Sequence, residues 1–276
     1  MHFQGLRQMI SLRGGLDRLG YEGQLKNIIL AHEYVRCAIT SELPRKFVGG
    51  EVTSSNDRTS GESSRLAADF RCFALQDRFI EPNSIGEISP EIMSLLNYMY
   101  RLASVYKSWN QATSKGSERD PSSSREKLAI RWSSIRSSLL GFPSAYNASV
   151  PHAGINDFTY ESIRLAVIIL SRKGVAAMDP THVTINTSEY FQEDAKQLRA
   201  ALEKTRLFEF WEPLPGALIW CLAICVNVCE NGTLKNWFLA HLSRTAVTYA
   251  LIRFKQLHEC MMTILHGLRE LKVVHE

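Results

Sequence analysis

Apolar residues recur along most of this chain at the three-and-four spacing of buried helix faces, broken by two long polar stretches. Phe3, Leu6 and Ile10 open the pattern. Leu25, Ile28, Ile29, His32, Val35 and Ile39 then mark one face of a second helix running towards Ala38, with Glu33 expected on its exposed face. The stretch "SLRGGLDRLGYEGQL" lies between them. Its glycines follow a helix, not a buried strand, so they fail the placement a phosphate-cradling loop requires. Gly14 or Gly15 reads as a left-handed C-terminal cap, with Leu16 folding back on the last turn.

The later helices are equally periodic. In "ISPEIMSLLNYMYRLASVYKSW", Ser89 is the expected N-cap and Pro90 the first helical residue, with Ile92, Leu95, Leu96, Met99, Leu102, Ala103 and Tyr106 as the apolar stripe. Leu128, Trp132, Ile135 and Leu139 predict a further helix. Ile163, Ala166, Val167 and Leu170 predict another, with Asp157 as its cap. "SEYFQEDAKQLRAALEKT" starts at Ser188 with an acidic first turn that suits the helix dipole. After Pro213 and Pro215 comes the uniformly apolar "GALIWCLAICVNVC". The last third carries two more helical patterns, continuous or bent near Phe254. No strand pair with a hairpin turn and no fixed-period repeat interrupts this order. The prediction is an all-α, irregular multi-helix domain spanning residues 1–276, with polar, Ser-rich flexible insertions at about 41–65 and 113–125 that lack the apolar surface to stay docked.

Composition narrows the function classes. With 276 residues, 45% hydrophobic and 22% charged, the chain can bury a sizeable core. Its net charge of +4 comes from 32 basic against 28 acidic residues without a basic cluster, a poor basis for sequence-specific DNA binding by this chain alone. No continuous apolar core marks a secretory signal or anchor at the start, and the longest apolar stretch is too short to span a bilayer and contains Asn227. An intracellular protein without a membrane segment is expected, which makes the sequons at Asn147, Asn186 and Asn231 chance matches.

Candidate chemistry adds little. Of six cysteines, Cys37, Cys72 and Cys260 are isolated, while Cys221, Cys225 and Cys229 recur every four residues along one helix face. No C-x-x-C pair occurs, so buried thiols are expected, with redox or ligand reactivity of Cys221 or Cys225 as the alternative. The segment "HECMM", 258–262, lacks the second histidine of a zinc protease. Neither G-x-S-x-G nor a phosphate-binding loop is present. We expect no enzyme, no catalytic residue, no metal site and no cofactor.

Several spaced blocks carry a resemblance. "GLRQMISLRGGLDRLGYEGQL", "YESIRLAVIIL", "LPGALIWCLAICVNV" and "NWFLAHLSR" together resemble the fungal-specific transcription factor regulatory domain, the helical region of zinc-cluster transcription factors. Arg13, Gly14, Gly15, Leu16, Leu19 and Gly20 match one block; Tyr160, Glu161, Arg164 and Leu165 match a second; Trp220 lies in a third and Trp237 with Phe238 in a fourth. The physical roles expected are architectural: chain reversal at the glycines, an i, i+3 contact between Glu161 and Arg164, and packing area from the indoles. The family's six clustered cysteines are missing from this chain. The resemblance implies a nuclear regulatory domain acting on an attached or partner DNA-binding module through protein partners or as a homodimer. A cytoplasmic helical adaptor and a small-molecule sensor with a candidate pocket at Trp220, Cys221 and Cys225 are the alternatives. Because Phe3 already belongs to the first stripe, truncation upstream of Met1 is also an expectation.

Overall fold

The computed structural model describes residues 2–44, 88–114, 121–146, 158–178, 187–205, 207, 211 and 214–270. Within them the chain is all-helical, with nine α-helices and no strand. These are α1 (His2–Leu12), α2 (Gln24–Thr40), α3 (Pro90–Ser114), α4 (Pro121–Leu140), α5 (Phe158–Met178), α6 (Thr187–Lys204), α7 (Pro215–Val228), α8 (Thr233–Ile252) and α9 (Phe254–Glu270).

The centre of the fold is α7. Every residue from Pro215 to Val226 is buried, and the helix touches α2, α5, α6, α8 and α9. Its sequence explains this placement: a helix apolar on all sides has no face to give to water. Pro215 starts it at the first helical position, where a missing N–H costs nothing. Around it, α2 packs along α8, α5 packs along α6, and α3 pairs with α4 and α5. The Asn227 amide at the end of α7 donates to the Ser41 hydroxyl at the end of α2. Since α8 turns back from that end of α7, α2 and α8 run antiparallel.

The first joint forms as the glycines predict. Gly15 N–H bonds to the Ile10 carbonyl at 2.9 Å and Gly14 N–H to the Ser11 carbonyl at 3.0 Å, with Gly14 at φ +82°. This pair of bonds satisfies two of the last four carbonyls of α1. Leu16 is buried beyond it. Two short 3₁₀ turns, Leu16–Arg18 and Tyr21–Gly23, then lead into α2, and neither is evident from the hydrophobic pattern.

Ser89 caps α3 as expected, its hydroxyl accepting the Ile92 N–H at 3.3 Å. Along that helix Val105 is buried where the expected stripe had Ala103, which is exposed. The last third is bent: Arg253 has φ −145° and ψ 59°, ends α8 by donating to the Tyr249 carbonyl, and accepts the Leu257 N–H of α9. Of the two polar stretches, Ser41 is buried and Leu43 packs on the core, while α4 already begins at Pro121. Residues 45–65 and 115–120, the Asp157 cap and Cys72 lie outside the described residues.

Candidate functional site

The block that contains Tyr160 and Glu161 sits at a joint of the fold. Tyr160 and Glu161 stand in the first turn of α5, beside the turn that comes after α4. The Tyr160 hydroxyl donates to the Pro143 carbonyl at 2.8 Å. The Glu161 carboxylate, 1% exposed, accepts the Ala145 N–H and the Ser144 hydroxyl, both at 2.9 Å. Arg164 closes the set with a fork, Nε to one carboxylate oxygen at 2.9 Å and a terminal nitrogen to the other at 2.7 Å. Burial acts to raise the Glu161 carboxyl, but the guanidinium and the two further donors outweigh it and hold the group below its usual value. This is the i, i+3 contact the sequence indicates. What the sequence does not reveal is that the same carboxylate pins a turn sixteen residues upstream.

A second fork has the same construction, at a position the hydrophobic pattern assigns to the surface. Glu33 is 0% exposed, not on an outer face: Arg36 grips both of its oxygens at 2.8 and 2.9 Å and reaches Glu42 at 2.8 Å. Conversely, Leu25 and His32, expected inward, face solvent. The face of α2 is set by this pairing, since a charge that is gripped on both oxygens can be buried where a free one cannot. The E-x-x-R spacing shared by Glu33 with Arg36 and Glu161 with Arg164 is the signal that could have identified it.

The remaining block residues serve packing. Arg13 and Gly20 are exposed in the first joint, whereas Gly15 and Leu16 are buried. Phe238 is fully buried in α8; Trp237 beside it is half-buried, with the Arg199 guanidinium 5.3 Å from its ring centre and His241 at 4.3 Å. Trp220, Cys221 and Cys225 are all buried in α7. Burial pushes both thiols well above their usual value, and Cys229 up to about 11. Such thiols stay protonated and poorly nucleophilic. Elsewhere, the Lys204 ammonium at the end of α6 lies between the rings of Tyr146 and Phe158, 4.5 and 4.4 Å from their centres, tying α6 to both sides of the joint between α4 and α5. Among the described residues, no group of three His, Cys, Asp or Glu is placed to hold a metal, and no helix is long and apolar enough to cross a membrane.

A helical scaffold built around one buried helix, with the Glu161 carboxylate bracing one of its joints, is the class defined by this geometry. Within that class, the model of the fungal specific transcription factor domain matches residues 1–264, and the chain belongs to that family. No zinc-cluster family matches it. No curated protein and no solved structure is significantly similar to the chain.

Proposed function

We propose that the chain acts in the nucleus as the regulatory and protein-interaction part of a transcription regulator, working through protein partners or a second copy and relying on an attached or partner DNA-binding module. The family match over residues 1–264 carries this reading. The architecture supports it: the Glu33 and Glu161 carboxylates are gripped by arginines and the described thiols are buried, settings that disfavour reaction with a substrate.

The test is to tether the chain to an unrelated DNA-binding domain and measure transcription from a reporter carrying that domain's site. A change in reporter output that depends on the intact helical fold is expected. Output equal to the unfused DNA-binding domain, with the fused chain folded and present in the nucleus, would overturn the reading.

A further inference from the structure

Exposed apolar side chains are unevenly distributed. Six of the ten large ones left in solvent among the described residues, Met9, Leu12, Tyr21, Leu25, Leu251 and Ile252, lie between the last turn of α1 and the first turn of α2 or on the last turn of α8. With the end of α2 tied to the end of α7, where α8 begins, and α2 packed along α8, the start of α2 and the end of α8 point to the same end of the pair. Leu12 is 81% exposed, Tyr21 79% and Ile252 68%. Apolar side chains scattered singly over a surface need no explanation, but a gathering of this kind marks a contact face.

Backbone conformation and charge say more about the face. Gly20, Tyr21, Glu22 and Gly23 have φ values of +78°, +55°, +52° and +82°, four positive-φ residues in a row. That conformation is strained for Tyr21 and Glu22, and it holds the tyrosine ring out into solvent. The surrounding charges are predominantly basic: Arg7, Arg13, Arg18, Lys26, Arg253 and Lys255 stand against only Asp17 and Glu22. Lys26 is paired with Asp17, which removes one charge of each sign and leaves five basic groups against Glu22. The result is an apolar centre with a positive rim.

We propose that this end of the α2–α8 pair docks an acidic amphipathic helix from a partner protein, its apolar stripe on Leu12, Tyr21, Leu25 and Ile252 and its carboxylates on the basic rim. The proposal rests on the protein-interaction reading above and names the partner's chemistry. A second copy of this chain fits less well, because it would set one positive rim against another. An i, i+3, i+4, i+7 apolar stripe flanked by acids meets both requirements at once.

The test uses the whole chain and a fluorescently labelled peptide of about eighteen residues, with Leu at i, i+3, i+4 and i+7 positions and Glu between them. Controls are a scrambled peptide and one with Lys in place of Glu. Anisotropy titration should show binding of the acidic peptide alone, weakened at least about tenfold by Tyr21→Ser or Ile252→Ser and weakened again on raising salt from about 50 to about 300 mM. Both positions are exposed, and unchanged helical circular dichroism and melting would confirm that the variants fold. Unaltered affinity in both variants, or equal binding of the scrambled peptide, overturns the proposal. Loss of a homodimer in the variants without competition by the peptide would give the face to a second copy. Variant-sensitive binding to vesicles with about 30% phosphatidylserine, without peptide binding, would give it to a bilayer. Peptide binding with a silent tethered reporter would overturn the transcriptional reading alone; an active reporter without peptide binding would overturn this docking proposal alone.

Discussion

The indole of Trp132 on α4 lies against the backbone of Gly174 on α5, so close that a Cβ at residue 174 would stand 2.1 Å from Cζ2 and 2.3 Å from Cη2. Gly174 is needed here for space. Tyr106 of α3 packs edge-on to the same indole, ring centres 6.3 Å apart, so the ring has little room to retreat.

Gly174→Ala should therefore destabilise the domain despite the better helix propensity of alanine. Propensity favours alanine by about 1 kcal/mol, whereas overpacking a rigid ring costs about 1–3 kcal/mol and has to move α4 off α5. Chemical denaturation reads the difference. Repeating the substitution in a Trp132→Leu background should remove the penalty or reverse its sign. The same loss in both backgrounds would show that the indole is not its cause.

How much of this is legible in the sequence depends on whether a position's role is local. The cap at Ser89, the reversal at Gly14 and the all-round burial of α7 come from short-range spacing, and the structure has all three. Gly174 sits inside a helical pattern with nothing nearby to reveal that a tryptophan forty-two residues earlier needs the space. The pattern misplaces Glu33 because a charge reads as exposure, although Arg36 neutralises it one turn on. The left-handed run from Gly20 to Gly23 is illegible for a similar reason: Tyr21 and Glu22 have no intrinsic preference for that conformation, and the turn is imposed by what flanks it. The contact between Glu161 and Arg164 can be read, but the turn it pins comes from before α5 and shows only in three dimensions.

Glu161→Gln should cost about 2–4 kcal/mol, because it leaves the Arg164 guanidinium without its counter-charge and puts an amide N–H₂ among donors. Its pH dependence distinguishes charge from shape. The folded carboxyl is held below its unfolded value of 4.5, so its stabilisation is present above that pH and is lost as pH falls through the lower folded value. The acid limb of the wild-type stability profile below pH 4.5 should be shallower in the variant. An unchanged limb would mean that the carboxylate contributes no charge-dependent stability.

The described thiols, Cys37, Cys221, Cys225, Cys229 and Cys260, are buried. Burial is the main cause that pushes Cys37 up to about 12, with the neighbouring Glu33 carboxylate adding to it. Native protein treated with a thiol-specific disulfide reagent at neutral pH should thus modify these five only as fast as the core opens, Cys221 and Cys225 among the last. Mass-spectrometric mapping of the modified peptides measures the order. Rapid labelling of Cys225 in folded protein would mean that α7 is not the closed centre of the fold.

Mild acid should loosen the contact between α9 and α2 before Glu161 titrates. The Tyr34 hydroxyl hydrogen-bonds His258 Nδ1 across these helices, and Phe254 packs one turn away with ring centres 6.3 Å apart. Burial holds His258 below its usual value of 6.5, so the unfolded chain takes up a proton that the folded one resists. For a base depressed in the fold, stability falls as pH drops from about 6.5 towards the folded value. His241 shares this behaviour, through burial first and then the neighbouring Arg244, so it contributes in the same window. Melting temperature should fall between about pH 7.5 and about pH 5 in the wild type, fall less in His258→Gln, and be nearly flat in the variant that also carries His241→Gln. The pH-dependent part of the tyrosine fluorescence that is present in the wild type and lost in Tyr34→Phe separates the two histidines, since His258 hydrogen-bonds the Tyr34 hydroxyl. A double variant with the full wild-type slope would place the acid sensitivity elsewhere.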